Sequence, residues 1–398
     1  MDITITPGKL HGNIDAIPSK SQAHRLLICA AFSSKETTLY CPATNRDIEA
    51  TVDCLRSLGA TITRSEIGYT VVPIKELPAK ATLDVCESGS TLRFMLPIAG
   101  ALGVECLFKM SGRLPYRPLS PLWEEMERKG CQLSRPTETT IRCTGKLQSG
   151  NFTIDGGVSS QFITGMLFAM ALMDGKSQLT VKGKLESKPY VDMTQQALSI
   201  FGVNTDNFCV CGSYPFNSPK FLRVEGDWSN AAFFLTANSL GSDITLSGLD
   251  ENSPQGDRAI SKILDTMDTI GVIDAADIPD LVPIMAVAAG AKKGATFTNI
   301  ARLRLKESDR VATVCEMLLC LGVPTESTEN ELKVFPAPFR GCTIDSAGDH
   351  RIAMAAAIAA TIADNPIAIT GAQCVEKSYP AFWEAYKKLG GCYEQYIR

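Results

Sequence analysis

A concealed repeat limits the folds open to this chain more than any other feature. Six segments consist of a small polar residue followed by a helix of small apolar residues. They begin near Ser19, Ser88, Ser159, Asp227, Pro279 and Asp349, at spacings of 69, 71, 68, 52 and 70 residues. An amphipathic helix follows each one and stops at a glycine: Gly59, Gly130, Gly202, Gly271, Gly322 and Gly390, at spacings of 71, 72, 69, 51 and 68. Glycine suits that position because the residue after a helix often turns left-handed. Two ladders with one period and one shared short step predict six copies of a helix–strand unit. A chain of 398 residues exceeds one ordinary core, so the copies divide into two domains of three. The short step has a local cause. Little chain lies between Gly271 and Pro279, where other copies carry strand pairs such as Thr61–Ile74 or Glu331–Phe335.

The first helix of each copy is apolar nearly all round, as in Phe162–Leu172, and is expected to be buried. The second, as in Trp123–Lys129, has one polar face and is expected nearer the surface, against sheet. This predicts an α/β protein with helices inside and sheets outside. A solenoid is the alternative, but solenoid periods run to about 20–50 residues. Leu281–Ala291 is too short to span a bilayer and reads as a core helix. The N-terminus alternates like a strand and lacks the apolar run of a secretory leader. The 14 cysteines include no CxxC pair, and several, such as Cys29, Cys54, Cys315 and Cys320, lie in apolar contexts. They are expected to be reduced, mostly buried thiols of a cytoplasmic protein.

The chemistry gathers at the helix starts. Ser19-Lys20-Ser21 precedes Arg25, and Ser88-Gly89-Ser90-Thr91 precedes Arg93; Ser159-Ser160-Gln161 and Asp349-His350-Arg351 open two further helices. A helix N-terminus offers unpaired N–H groups and partial positive charge, and glycine or serine lets an anion approach. Plain N-capping explains any single copy, but not several copies with adjoining Lys or Arg. The net charge is −4, which argues against bulk attraction to nucleic acid. Yet Lys20, Arg25, Arg93, Arg113, Arg117, Lys188, Arg302, Arg304, Lys306, Arg310, Arg351 and Lys377 sit in the unusual segments. They predict a cleft for small, highly anionic molecules. Asp280 and Glu307 stand out as acids among these bases, suited to general acid–base work. Helix capping by Asp280 and an ion pair from Glu307 to Arg310 are the structural alternatives.

Several motifs, in order from about residue 5 to about residue 390, resemble those of the 5-enolpyruvylshikimate-3-phosphate synthase family. They are Pro18-Ser19-Lys20-Ser21 with Arg25, Ser88-Gly89-Ser90-Thr91-Leu92-Arg93, Arg113-Leu114-Pro115-Tyr116-Arg117-Pro118, Ser159-Ser160-Gln161-Phe162, Ser187-Lys188-Pro189-Tyr190, Ile278-Pro279-Asp280, Leu305-Lys306-Glu307-Ser308-Asp309-Arg310 and Asp349-His350-Arg351-Ile352-Ala353-Met354. The resemblance implies the inside-out, two-domain enolpyruvyl transferase fold with three βαβαββ repeats per domain. One domain would span 18–220 and the other would combine 1–17 with 221–398, with the active site in the cleft between them. It implies enolpyruvyl transfer from phosphoenolpyruvate to the 5-hydroxyl of shikimate 3-phosphate, by a cytoplasmic monomer without metal or organic cofactor. Lys20, Ser21, Arg25, Ser159, Ser160, Gln161, Ser187, Asp280 and Lys306 would bind shikimate 3-phosphate. Lys20, Gly89, Arg117, Gln161, Arg310, Arg351 and Lys377 would bind phosphoenolpyruvate. Asp280 would accept the hydroxyl proton and Glu307 would protonate the enolpyruvyl methylene, with Lys20 as the third catalytic group.

The chain also departs from the family's best-known form, which has Asn where Glu87 stands, Ala where Ser88 and Thr91 stand, and often Asn where Arg302 stands. Among rivals, the UDP-N-acetylglucosamine enolpyruvyl transferases share the chemistry. They carry a reactive cysteine in a mobile loop, and Met110–Arg117 has none. A nucleic-acid-processing protein lacks its interleaved basic–aromatic tract here. A purely structural role leaves the cations at helix starts unexplained.

Overall fold

A computed structural model describes residues 1–212 and 214–396. Ser213 of the first expected domain and Ile397 and Arg398 of the second lie outside the described residues. The chain divides into two compact units, Pro18–Glu225 and Met1–Ile17 with Gly226–Arg398.

In the unit Pro18–Glu225 the helices are α1 (Lys20–Ala31), α2 (Arg46–Ser57), α3 (Gly89–Leu102), α4 (Leu122–Arg128), α5 (Ser160–Leu172) and α6 (Lys188–Ile200). In the other they are α7 (Trp228–Ser239), α8 (Ile260–Thr266), α9 (Val282–Ala291), α10 (Arg310–Cys320), α11 (His350–Ala359) and α12 (Phe382–Lys388). The small-residue helices are the buried ones. α3 packs on α5, while α7, α9 and α11 pack on one another. Small side chains permit this closeness. A Cβ on Gly165 of α5 would strike the Arg93 carbonyl oxygen and lie 2.8 Å from Pro97 Cγ of α3.

Each unit surrounds its buried helices with three sheets. The sheet Lys80–Asp84, Glu105–Lys109, Thr140–Gly145, Cys131–Thr137 displays the whole repeat. Its first two strands run parallel across α3, and a hairpin then adds antiparallel on the far side of α4. The register places Leu83 opposite Phe108 and Phe108 opposite Ile141, all buried. Alternate residues thereby press inward on the helices, and each such large side chain contributes about 1.5–3 kcal/mol. The N-terminus explains the composite unit. Asp2–Thr6 pairs antiparallel with both Ile367–Thr370 and Cys392–Tyr396, completing the last sheet, and His11–Asp15 pairs with Asp243–Ser247 to open another.

As the short step implies, the sheet of His11–Asp15 and Asp243–Ser247 has two strands and no hairpin among the described residues. Four details differ from the sequence reading. The sheet around α5 keeps a single strand, Cys209–Cys211, in place of its hairpin. Five of the six glycine stops have positive φ; Gly271 does not, since α8 ends at Thr266 and turns supply the remainder. The fifth buried helix starts at Val282 rather than near Pro279. The cysteines are free thiols, but only seven of 14 are buried. Cys320 is exposed and Cys315 half-buried, on the outward side of α10.

Candidate active site

Each unit assembles its own cluster of the residues that the sequence singles out. In Pro18–Glu225, Ser19 caps α1 and accepts from Gln22 N. That cap orients Lys20, whose Nζ meets Asp47 Oδ2 at 3.0 Å. Arg25 is buried one turn further on. Its Nε donates to Thr194 Oγ1 at 2.8 Å, Nη1 to Ser21 O at 2.6 Å, and Nη2 to Tyr190 O at 2.7 Å and Thr164 Oγ1 at 3.4 Å. Four of its five N–H donors are thus occupied, leaving at most one for a direct bond to a ligand. Burial pulls its guanidinium down to about 10.

Helix α3 opens with Ser88 as cap and Gly89 as first residue. A Cβ on Gly89 would lie 2.6 Å from Arg117 Nη1 and 2.7 Å from Arg93 Nη1. Two guanidinium groups therefore rest against a helix N-terminus through a gap that only glycine leaves open. Gln161, in the first turn of α5, accepts from Arg93 Nη1 at 2.9 Å and donates to Ser90 Oγ at 2.9 Å. Ser159 caps α5 and accepts from Gln161 N at 3.3 Å. Ser160 is buried beside it. Ser187 precedes α6 in a left-handed conformation (φ 53°) and is buried, with no capping hydrogen bond from its side chain. A non-glycine residue held there costs of order 1–3 kcal/mol, which sites of function often retain.

In the other unit, Arg310 is 1% exposed and forms the hub. Nη1 donates to Asp280 Oδ1 at 2.8 Å, Nη2 to Glu307 Oε2 at 2.6 Å and Nε to Asp349 Oδ2 at 3.0 Å. Arg351 holds Asp280 from the other side, with Nη1 on its carbonyl at 3.0 Å and Nη2 on Oδ2 at 3.2 Å. Lys306 Nζ lies 3.4 Å from Asp280 Oδ1. Three cations thus face three carboxylates in a partly desolvated cluster. Burial opposes the charge of Arg310, but Asp349, Glu307 and Asp280 outweigh it and hold the guanidinium firmly protonated. Burial likewise opposes ionisation of Asp349, and Arg310 overcomes it, leaving that carboxyl below its usual value. Lys306 is lowered, chiefly by burial. Lys377 donates from Nζ to Gly348 O at 3.3 Å, in the loop before α11.

Of the two structural alternatives, one is realised. The Glu307–Arg310 pair forms, but Asp280 does not cap α9, whose cap is Leu281 without a side-chain bond. Arg302 donates through Nη2 to Ala276 O at 2.8 Å, bracing the turn that leads to Asp280.

Two acids escaped the sequence reading. Asp349 looks like a helix cap, and it is one, but it is also the buried counter-charge of Arg310. Asp257, in the turn Gly256–Ala259, carries no motif that would mark it. Burial first, then repulsion from Asp280, lifts its carboxyl from 3.8 to about 6. A value raised on folding means stability present at low pH and lost as pH rises towards the folded value. Asp257→Asn is therefore expected to gain stability relative to the parent protein as pH climbs from about 4 to 7. Thermal melts across that range check it; a pH-independent difference would mean that Asp257 ionises alike in both states.

The model of the EPSP synthase family (3-phosphoshikimate 1-carboxyvinyltransferase) matches residues 5–275 and 268–386. The 3-phosphoshikimate 1-carboxyvinyltransferase of Clostridium kluyveri is 39% identical over 98% of this chain and 97% of its own. That of Clostridium botulinum (strain Eklund 17B) is 37% identical over 98% of each. A solved EPSP synthase from Acinetobacter baumannii covers 99% of this chain and 100% of its own with a TM-score of 0.80; at 24% identity it speaks for the fold alone.

Proposed function

The chain belongs to the EPSP synthase family, and from that premise we propose how its residues carry out the reaction. It is a 3-phosphoshikimate 1-carboxyvinyltransferase of aromatic biosynthesis, transferring the enolpyruvyl group of phosphoenolpyruvate to shikimate 3-phosphate. The observation that carries the mechanistic reading is that Asp280 and Glu307 share one buried guanidinium, Arg310.

In this reading Glu307 protonates C3 of phosphoenolpyruvate, which makes C2 electrophilic. The 5-hydroxyl attacks C2 and gives its proton to Asp280. The tetrahedral adduct then breaks its C2–O bond to phosphate, which takes the proton back from Asp280 as it leaves, and the methyl group returns a proton to Glu307. Arg117, Arg310, Arg351, Lys20 and Lys377 would donate to phosphoenolpyruvate's carboxylate and phosphate, offsetting charge as it develops. Gly89 lets the ligand approach α3, and Gln161 contacts both substrates. Ser21, Arg25, Ser159, Ser160, Ser187 and Lys306 would hold shikimate 3-phosphate. When substrate anions engage Arg310, Arg351 and Lys306, those cations withdraw from Asp280, which then accepts a proton more readily.

Purified protein is expected to release inorganic phosphate only when both substrates are present; well-folded protein that releases none counts against the reading. Gly89→Ala is expected to cut kcat/KM for phosphoenolpyruvate roughly ten- to a hundredfold, because Arg93 and Arg117 must both move. Steady-state kinetics decides; unchanged kcat/KM would place the ligand elsewhere. A monomer working in the cytoplasm belongs to the same proposal, to be checked by size-exclusion chromatography and fractionation. Among the described residues no helix is long and apolar enough to cross a membrane.

A further inference from the structure

A buried chain of side-chain hydrogen bonds links the first three helices of Pro18–Glu225. His24 stands one turn after Lys20 in α1, and its Nδ1 lies 2.7 Å from Thr51 Oγ1 of α2. Thr51 Oγ1 lies 2.7 Å from Thr91 Oγ1 of α3. Thr91 Oγ1 donates to Ser88 Oγ at 2.8 Å, and Thr91 N donates to the same oxygen at 3.2 Å. All four residues are at most 1% exposed.

The chain has a direction. A hydroxyl has one proton. Thr91 commits its own to Ser88 Oγ, with the Asp47 carbonyl the more distant acceptor at 3.4 Å. Thr51 must therefore donate to Thr91, and His24 must donate to Thr51 from Nδ1. The other nitrogen, Nε2, is then the unprotonated one, and it has no hydrogen-bond partner among the described residues. Burial, then Lys20 and Arg25, keep the ring well below its usual value and so neutral, as this arrangement needs.

We propose that Thr91 is a positioning residue for the phosphoenolpyruvate site, a proposal that rests on the site assignment above. Its hydroxyl locks the first turn of α3 to α1 and α2. That turn carries Gly89 beneath Arg93 and Arg117, and Ser90 bonded to Gln161. The helices it is locked to carry Lys20 and its partner Asp47. Without the hydroxyl, Thr51 loses its acceptor and Ser88 loses a donor in a place that water does not reach, and the turn shifts to satisfy them. Ser88 and Thr91 are also two of the positions where the chain departs from the alanines of the family's best-known form.

Thr91→Val removes the hydroxyl at nearly constant volume, and Thr91→Ser retains it. Thr91→Val is expected to raise KM for phosphoenolpyruvate about fivefold while KM for shikimate 3-phosphate stays within about twofold. Thr91→Ser is expected to behave as the parent, and nitrogen-15 spectra of the parent to show His24 protonated at Nδ1. Arg117→Ala is the control for the site itself. If it raises KM for phosphoenolpyruvate and Thr91→Val does not, the inference is overturned and the site stands. If neither variant changes KM, both fall. A parallel rise in both KM values, or a His24 proton on Nε2, also overturns it. Should Thr91→Val not fold, Ser88→Ala deletes the last acceptor and must give the same selective rise; its absence overturns the inference.

Discussion

Replacing Asp280 by asparagine is expected to lower kcat by about 10²- to 10⁴-fold, the range general acid–base catalysis supplies. The reason is chemical. The Asp280 carboxylate is met by Arg310 at 2.8 Å, Arg351 at 3.2 Å and Lys306 at 3.4 Å. Asparagine keeps an oxygen for one of these donors, so the fold survives, but its amide cannot take a proton. Glu307→Gln is expected to show a fall of similar size, with a distinct signature. In heavy water the parent should place deuterium on C3 of the enolpyruvyl group, and Glu307→Gln should slow that incorporation. Stopped-flow kinetics and mass spectrometry read both. Normal turnover by a folded Asp280→Asn protein would remove Asp280 as the proton acceptor; unimpeded deuterium uptake would do the same for Glu307 as donor.

Arg310→Met is expected to destabilise the protein by about 3–5 kcal/mol, the cost of stranding buried carboxylates by removing their partner. Arg310 is 1% exposed, so solvent screening gives little relief, and Asp280, Glu307 and Asp349 would all lose a hydrogen bond to it. Arg310→Lys should recover part of the stability and little of the turnover. A lysine keeps the charge but cannot place three planar donors towards three carboxylates at once. Urea unfolding followed by kinetics separates the two effects. A loss under about 1 kcal/mol for Arg310→Met would mean that the carboxylates find other partners.

Much of this was legible in the chain because it is written locally. A cap followed by small apolar residues announces a buried helix, and Ser19, Ser88, Ser159, Asp227 and Asp349 all cap as their residue types suggest. The two glycine ladders gave away the repeat and its short step for the same reason. Pro279 and Asp280 look like a helix opening, yet the fifth helix begins at Val282, and Asp280 turns its carboxylate towards Arg310 instead.

What lay beyond the sequence was who meets whom. Arg351 and Asp280 are 71 positions apart, Arg310 and Asp349 are 39 apart, and Thr51 and Thr91 are 40 apart. Asp257 carries no mark of its burial beside Asp280, and nothing in Asp2–Thr6 says that it will complete a sheet begun more than 300 residues later. Helix signals depend on neighbours a turn away, so composition and spacing suffice to determine them. Pairings across a core depend on where the chain returns after each sheet and on which buried charge must be neutralised when it does, and packing alone settles that.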